Sequence, residues 1–204
     1  MINKIILASA SPRRKEILEN VGITPEIIVS DAEETGVLWD CPQEAVQQLA
    51  LQKGKAVLKK IENSQEEKLI VSADTVVVMG KTVLGKPKNR EDAFDMIKNL
   101  SGKSHKVITG ICVINTLSKK TCTDYEETEV YFKNLSDEDI INYLDTNEYC
   151  DKAGGYGIQG KGAFLVKKIC GDYFNVVGLP IGLLYDLIKN EFISDVKKSG
   201  GLVC

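Results

Sequence analysis

The sequence predicts a mixed α/β protein, a single domain whose two lobes enclose a cleft. Three observations lead there. Apolar strand-length runs alternate with helical periodicities through the first half of the chain, as in βαβ units, and then give way to paired strands. No proline-rich or charged linker divides the 204 residues, so a cleft between two lobes is expected rather than two separate beads. Hydrophobic residues make up 43% and charged residues 27%, without blocks or repeats, which excludes disordered and fibrous classes.

The elements follow in order. Ile5 to Ala8 is a core strand. Ser11 before Pro12, with Glu16 inside the first turns, opens a helix by cap and first-position proline; Ile17, Leu18 and Val21 turn inward and Gly22 stops it. "PEIIVS" is a second short strand, followed by the polar loop "DAEETGVLWDC". From Pro42, the spacing of Val46, Leu49, Ala50, Val57 and Ile61 predicts a long helix ending near Glu62, weakened in its middle by Gly54. "KLIVSADTVVVM" is a long apolar strand interrupted by Asp74, and Gly80 turns the chain into "KTVLGKP". Asn89 caps a helix with Ala93, Phe94, Ile97 and Leu100 inward, ended by Gly102. "SHKVITGICVIN" and "TCTDYEETEVYF" form two paired strands, the second alternating outward charges with Tyr125, Val130 and Phe132. Ser136 caps the helix "DEDIINYL", whose first-turn acids suit the dipole. After the glycine-dense "DKAGGYGIQGKG", the segments "AFLVKKI" and "DYFNVV" are expected to form a hairpin around Gly171. Pro180 opens the last helix. Residues 1–194 form the domain, and 195–204 are expected to be a frayed tail.

Composition excludes several functions. A net charge of -3 supplies no basic face for nucleic acid or a membrane surface, so any anionic partner needs a local cluster. No run approaches the roughly 18 apolar residues of a membrane span. Cysteines 41, 112, 122, 150, 170 and 204 make no CxxC pair, and His105 is the sole histidine, which argues against zinc. Scattered cysteines of this kind serve as small apolar packers in a reducing compartment, so the cytoplasm is the expected location. A targeting role for the start fails on order, because Arg13 and Arg14 follow the apolar run instead of preceding it.

Two phosphate motifs fail on context. Gly155-Tyr156-Gly157-Ile158-Gln159-Gly160 matches GxGxxG, but a helix precedes it and a strand follows, the reverse of a dinucleotide site. Gly102-Lys103-Ser104 matches the end of a Walker loop, yet Ile97 stands in place of its first glycine.

Chemistry concentrates elsewhere. In "ASASPRR" a strand, a small-residue turn and a helix start could direct free backbone N–H groups, the hydroxyls of Ser9 and Ser11 and the guanidinium groups of Arg13 and Arg14 onto one anion. A plain capped helix with solvated arginines is the competing reading. Asp74, inside an apolar strand, needs a cleft, a metal or a cation, unless it is a paired core acid. Glu33 and Glu34, in the loop after the second strand, could bring another carboxylate, or stay solvated. Lys53 falls on an otherwise apolar helix face, where it either snorkels or serves the site. Lys86 sits in the turn "GKP". Together these residues suit a magnesium and polyphosphate site, in which carboxylates hold a hard cation and fixed cations offset charge in transfer. His105 has no nucleophile partner and reads as structural, or as a support behind the site residues.

Six motifs in order, "LASASPRRKEIL", "ADTVV", "LGKP", "LSGKSHKVITG", "DKAGGYGIQG" and "GDYFNVVGLP", span nearly the whole chain. On them the chain resembles the Maf family, the septum formation inhibitor-like nucleoside triphosphate pyrophosphatases. The resemblance implies an elongated, curved mixed sheet flanked by helices, with two lobes around a cleft. It implies hydrolysis between the α- and β-phosphates of a nucleotide with Mg2+ or Mn2+, and a homodimer. It assigns catalysis to Asp74, Lys53 and Lys86, metal binding to Glu34 and Asp74, and substrate binding to Ser9, Arg13 and Arg14. Arg13, Thr75 and Gln159 match the triplet of the dTTP and UTP pyrophosphatase branch, which leaves Arg14 to the phosphates. The amide of Gln159 can donate and accept at once, as a uracil or thymine edge requires. One departure is Glu148-Tyr149-Cys150, where the family commonly carries an acid and a proline; its loss is expected to loosen the loop. Two rival functions remain: a nucleotide-binding regulator of septum formation that hardly turns over, and the same chemistry on purine substrates.

Overall fold

A computed structural model describes residues 4–192; the expected tail at 195–204 lies outside the described residues. Strands β1 (Ile5–Leu7), β2 (Glu26–Ile27), β3 (Leu69–Met79), β4 (Thr82–Leu84), β5 (Ser104–Asn115), β6 (Thr121–Phe132) and β7 (Val166–Cys170) share one sheet. Their order is β2-β1-β3-β5-β6-β7, with β4 hairpinned onto the end of β3. β1 runs parallel to β2 and β3, whereas β6 and β7 are antiparallel, so the sheet is mixed. Flanking it are the helices α1 (Pro12–Asn20), α2 (Pro42–Lys60), α3 (Arg90–Leu100), α4 (Asp137–Leu144), α5 (Tyr173–Val177) and α6 (Ile181–Glu191). The described residues fall into two compact units, 4–74 with 109–125 and 178–192, and 75–108 with 126–177. The chain passes from one to the other inside β3, β5 and β6.

In the first unit, Ile6, Ala8, Ala50, Val57, Ile70, Cys112 and Ile114 form a core between α2 and the strands. Two glycines let helix and strand backbones approach. A Cβ on Gly110 would stand 2.4 Å from the carbonyl carbon of Val46, and one on Gly54 would stand 2.9 Å from Ser72 Oγ. Gly54 therefore does more than weaken α2: it lets the helix lie close against β3 and β5. Ser72 Oγ donates to the Ala50 carbonyl at 2.6 Å and locks their register.

The second unit is built on Ala93, Ile97 and Leu100 of α3, Ile140, Tyr143 and Leu144 of α4, and Val107, Val130 and Phe132 of the sheet. His105 is buried, 3% exposed, with Nε2 2.6 Å from Tyr156 Oη and its ring edge-on to Phe132. Burial pushes its pKa down to about 4. It is structural, as its sequence context suggests.

Several elements differ from expectation. Ser11 holds the cap position of α1 without a side-chain cap bond, and Val21 lies past the helix end, 50% exposed. β2 shrinks to two residues. Tyr125 is exposed at 40%, because the inward alternation of β6 starts only at Thr128. "DYFNVV" is not a strand: Asp172 Oδ1 accepts from Phe174 N at 2.8 Å and starts α5. There Asn175 is buried and donates to the Val107 carbonyl and to Thr128 Oγ1. β7 pairs with β6 instead. A local side-chain turn and a buried amide override the β-branched pattern.

Above pH 6.5 His105 is neutral folded and unfolded. Between about 6.5 and 4 only the unfolded chain takes its proton, so stability falls with falling pH, by about 3 kcal/mol in all. In His105→Gln that part of the slope should vanish in urea titrations run across this range. Gly110→Ala should cost about 3 kcal/mol, read as a lower urea midpoint, because backbone on both sides must part.

Candidate functional site

The first unit brings five of the expected site residues together. β1 ends where Ala8 N donates to the Val71 carbonyl at 2.8 Å, so the turn that follows starts beside the first half of β3. In that turn Ser9 Oγ accepts from Ser11 N at 3.2 Å, and Pro12 opens α1. Arg14, within the first turn of the helix, reaches back. Its Nη1 donates to Ser9 Oγ at 3.2 Å and to the Ala73 carbonyl at 2.9 Å, and its Nε donates to the Gly178 carbonyl at 2.8 Å. The guanidinium thus ties the turn, the residue preceding Asp74 and the segment preceding α6. Burial lowers its pKa, against the opposing pull of the Asp74 carboxylate, and an arginine so placed stays charged.

Lys53 does not snorkel. Its Nζ lies 2.6 Å from Asp74 Oδ1 and 2.9 Å from Glu34 Oε1, with Lys53 and Asp74 17% and 14% exposed. The register set by Ser72 and Ala50, one turn back along α2, aims the lysine at Asp74. Glu34 arrives on the loop after β2, which is held to α2 where Gln52 Nε2 donates to the Thr35 carbonyl at 3.1 Å. Asp74 is therefore neither an unpaired core acid nor a surface one. Glu33, its neighbour in the loop, is exposed.

The second unit carries Thr75, Lys86 and Gln159, while Arg13 stays in the first. Thr75 follows Asp74 on β3. Lys86 is exposed in the turn after β4, beside Gly85, whose carbonyl accepts from Gly154 N at 2.9 Å; the lysine turn and the glycine-rich loop are thereby joined. Gln159, half-buried, stands at the start of a 3-10 turn, Gly160–Phe164. Neither glycine motif leads into an α-helix: Gly155 closes one 3-10 turn, Gly160 opens another, and Ser104 begins β5. Arg13 is half-buried beside Arg14 on α1.

Sequence reading missed Gly178 and Gln52. The first contributes only a backbone carbonyl, which leaves no side-chain signal; the second adjoins Lys53 and looks like any helix-surface amide. Among the described residues no group of three or more His, Cys, Asp or Glu side chains converges as a metal nest. Asp74 and Glu34 do converge on one cation, the Lys53 ammonium. Two carboxylates of that kind suit a hard divalent ion that keeps water and substrate oxygens as its other ligands. No described helix is long and apolar enough to cross a membrane.

Arg14→Ala should lower unfolding stability by about 2–3 kcal/mol in urea, since three polar partners lose a charged donor. A merely solvated arginine would move it by no more than about 0.5 kcal/mol.

The family model described as Maf-like protein matches residues 4–191. A dTTP/UTP pyrophosphatase of Thermoanaerobacter sp. (strain X514) is 51% identical over 189 residues, covering 93% of this chain and 97% of the relative. Another of that name from Clostridioides difficile (strain 630) is 51% identical over 188 residues, covering 92% and 95%, and one from Bacillus cereus (strain G9842) is 48% identical over 195, covering 96% and 98%. A match that runs from the first strand into the last helix and takes in the whole Arg14, Lys53 and Asp74 cluster admits one conclusion: the chain belongs to the Maf family.

Proposed function

We propose that the protein is a nucleoside triphosphate pyrophosphatase that hydrolyses dTTP and UTP to the monophosphate and pyrophosphate. The observation that carries this reading is the pair of carboxylates, Asp74 and Glu34, meeting on Lys53 beside the half-buried Arg14. Such a cluster suits phosphoryl chemistry, which asks for positioning and charge compensation more than for a covalent nucleophile. The names borne by relatives about half identical over nearly their full length supply the reaction and the pyrimidine substrates.

In this mechanism the turn Ser9–Ser11, with Arg13 and Arg14, receives phosphate oxygens. Asp74 orients a water and accepts its proton as the water oxygen bonds to the α-phosphorus. The bond from that phosphorus to the bridging oxygen breaks, and pyrophosphate leaves with the electron pair. Lys53 and Lys86 offset the charge spread over the transferring group. Mg2+ or Mn2+, held by Asp74 and Glu34, supplies Lewis-acid neutralisation of the phosphate oxygens when bound. Thr75 and Gln159, with Arg13, meet the pyrimidine, the amide of Gln159 pairing with donor and acceptor of the imide edge. In this reading the enzyme acts in the cytoplasm as a homodimer, in nucleotide-pool sanitation and in division arrest.

Asp74→Asn should lower the rate of pyrophosphate release from dTTP by about 10²- to 10⁴-fold while nucleotide binding persists. Release at near the wild-type rate with binding intact would remove Asp74 from its role. A panel of dTTP, UTP, CTP and dITP checks the base. Turnover restricted to dTTP and UTP is expected; saturable binding without turnover would instead mark a regulator, and preferred turnover of dITP a purine enzyme.

A further inference from the structure

A carboxylate from outside the glycine-rich loop holds the turn that bears Gln159. Beyond α4 the chain reverses through Asn147, at φ 57°, and Glu148 N donates to Thr146 Oγ1 at 3.2 Å. The Lys152 ammonium closes the same reversal on the Glu148 carbonyl. So presented, both Glu148 carboxylate oxygens lie 3.1 Å from Lys161 N, and Oε2 lies 3.4 Å from Gly162 N. These are open donors at the start of the 3-10 turn Gly160–Phe164, whose cap residue is Gln159. A Ser, Thr, Asp or Asn at the cap turns its own side chain onto such donors; the Gln159 side chain makes no capping bond, and the carboxylate of Glu148 serves them instead. The fit is close: a Cβ on Gly160 would stand 2.8 Å from Glu148 Oε1.

We propose that Glu148 is a positioning residue for base selectivity: by capping the turn in place of Gln159, it releases the Gln159 amide to meet the nucleobase and fixes the backbone from which that amide projects. The inference rests on the reading of Gln159 as a pyrimidine contact. It also changes the expectation for this loop. Tyr149 and Cys150 replace the rigidity of a proline, but the charge-assisted bonds of Glu148 anchor the loop without it.

The test compares Glu148→Ala, Glu148→Gln, Gln159→Ala and the Glu148→Ala/Gln159→Ala double variant on dTTP and CTP. It adds amide exchange across residues 160–162. In Glu148→Ala the KM for dTTP should rise about tenfold with kcat within about threefold, and the dTTP-over-CTP preference should fall about tenfold. Exchange at Lys161 and Gly162 should quicken. Glu148→Gln, which keeps an acceptor oxygen, should restore most of both effects and serves if the alanine variant does not fold. The double variant should be no less selective than Gln159→Ala alone. If Gln159→Ala loses selectivity while Glu148→Ala keeps it, or if Glu148→Ala lowers kcat at unchanged KM, the role of Glu148 is overturned. If Gln159→Ala itself keeps full selectivity, the pyrimidine contact fails first and the inference falls with it.

Discussion

The first unit is organised around the ammonium of Lys53, which meets Asp74 at 2.6 Å and Glu34 at 2.9 Å. An aspartate inside a strand as apolar as β3 is tolerated only where a cation is delivered to it. Delivery needs the backbone of α2 close to the sheet, and that closeness is obtained by having no side chain at Gly54 and Gly110. The Ser72 to Ala50 bond then sets the height of the helix, so that the lysine ends on Asp74 and not beyond it. Core packing and site geometry here are one arrangement.

Arg14 ties the first turn of α1 into the same arrangement. Its bonds to the Ala73 and Gly178 carbonyls satisfy backbone acceptors and hold a second positive charge within the field of the carboxylate. In the proposed reading, a chain carrying net negative charge still turns the guanidinium groups of Arg13 and Arg14 toward a polyphosphate, since short-range placement outweighs a distant excess of acids once screening is considered. Arginine suits this place because its planar fork serves several carbonyl acceptors and stays charged when buried.

The second unit uses another device. Its glycine-rich loop is not the phosphate cradle that its spacing resembles, because it leads into a 3-10 turn and a strand. What gives the loop definition is a carboxylate reaching in from Glu148 and a backbone bond from Gly154 to Gly85, which joins it to the turn of Lys86. His105, against Tyr156 and Phe132, fills the core behind it as a neutral ring.

Much of this was legible in sequence because the signals are local. The break from apolar strand to "SASPRR", the acid inside "LIVSADTVVVM" and the helical spacing that put Lys53 among apolar neighbours each marked a residue by its conflict with its surroundings. Elements failed where the decisive contact was remote: "DYFNVV" has strand-like residues, but Asp172 starts a helix there and Asn175 is drawn onto Val107 and Thr128. By itself, then, the sequence determined the mixed α/β class, the Maf resemblance and which side chains carry charge into apolar elements. Only the tertiary structure decided that Lys53 joins two particular carboxylates, that Arg14 binds carbonyls 59 and 164 residues away, and that Glu148 caps a turn 13 residues on. The physical reason is that these contacts join segments that only packing brings together, and the backbone partners among them have no residue type by which a sequence could announce them.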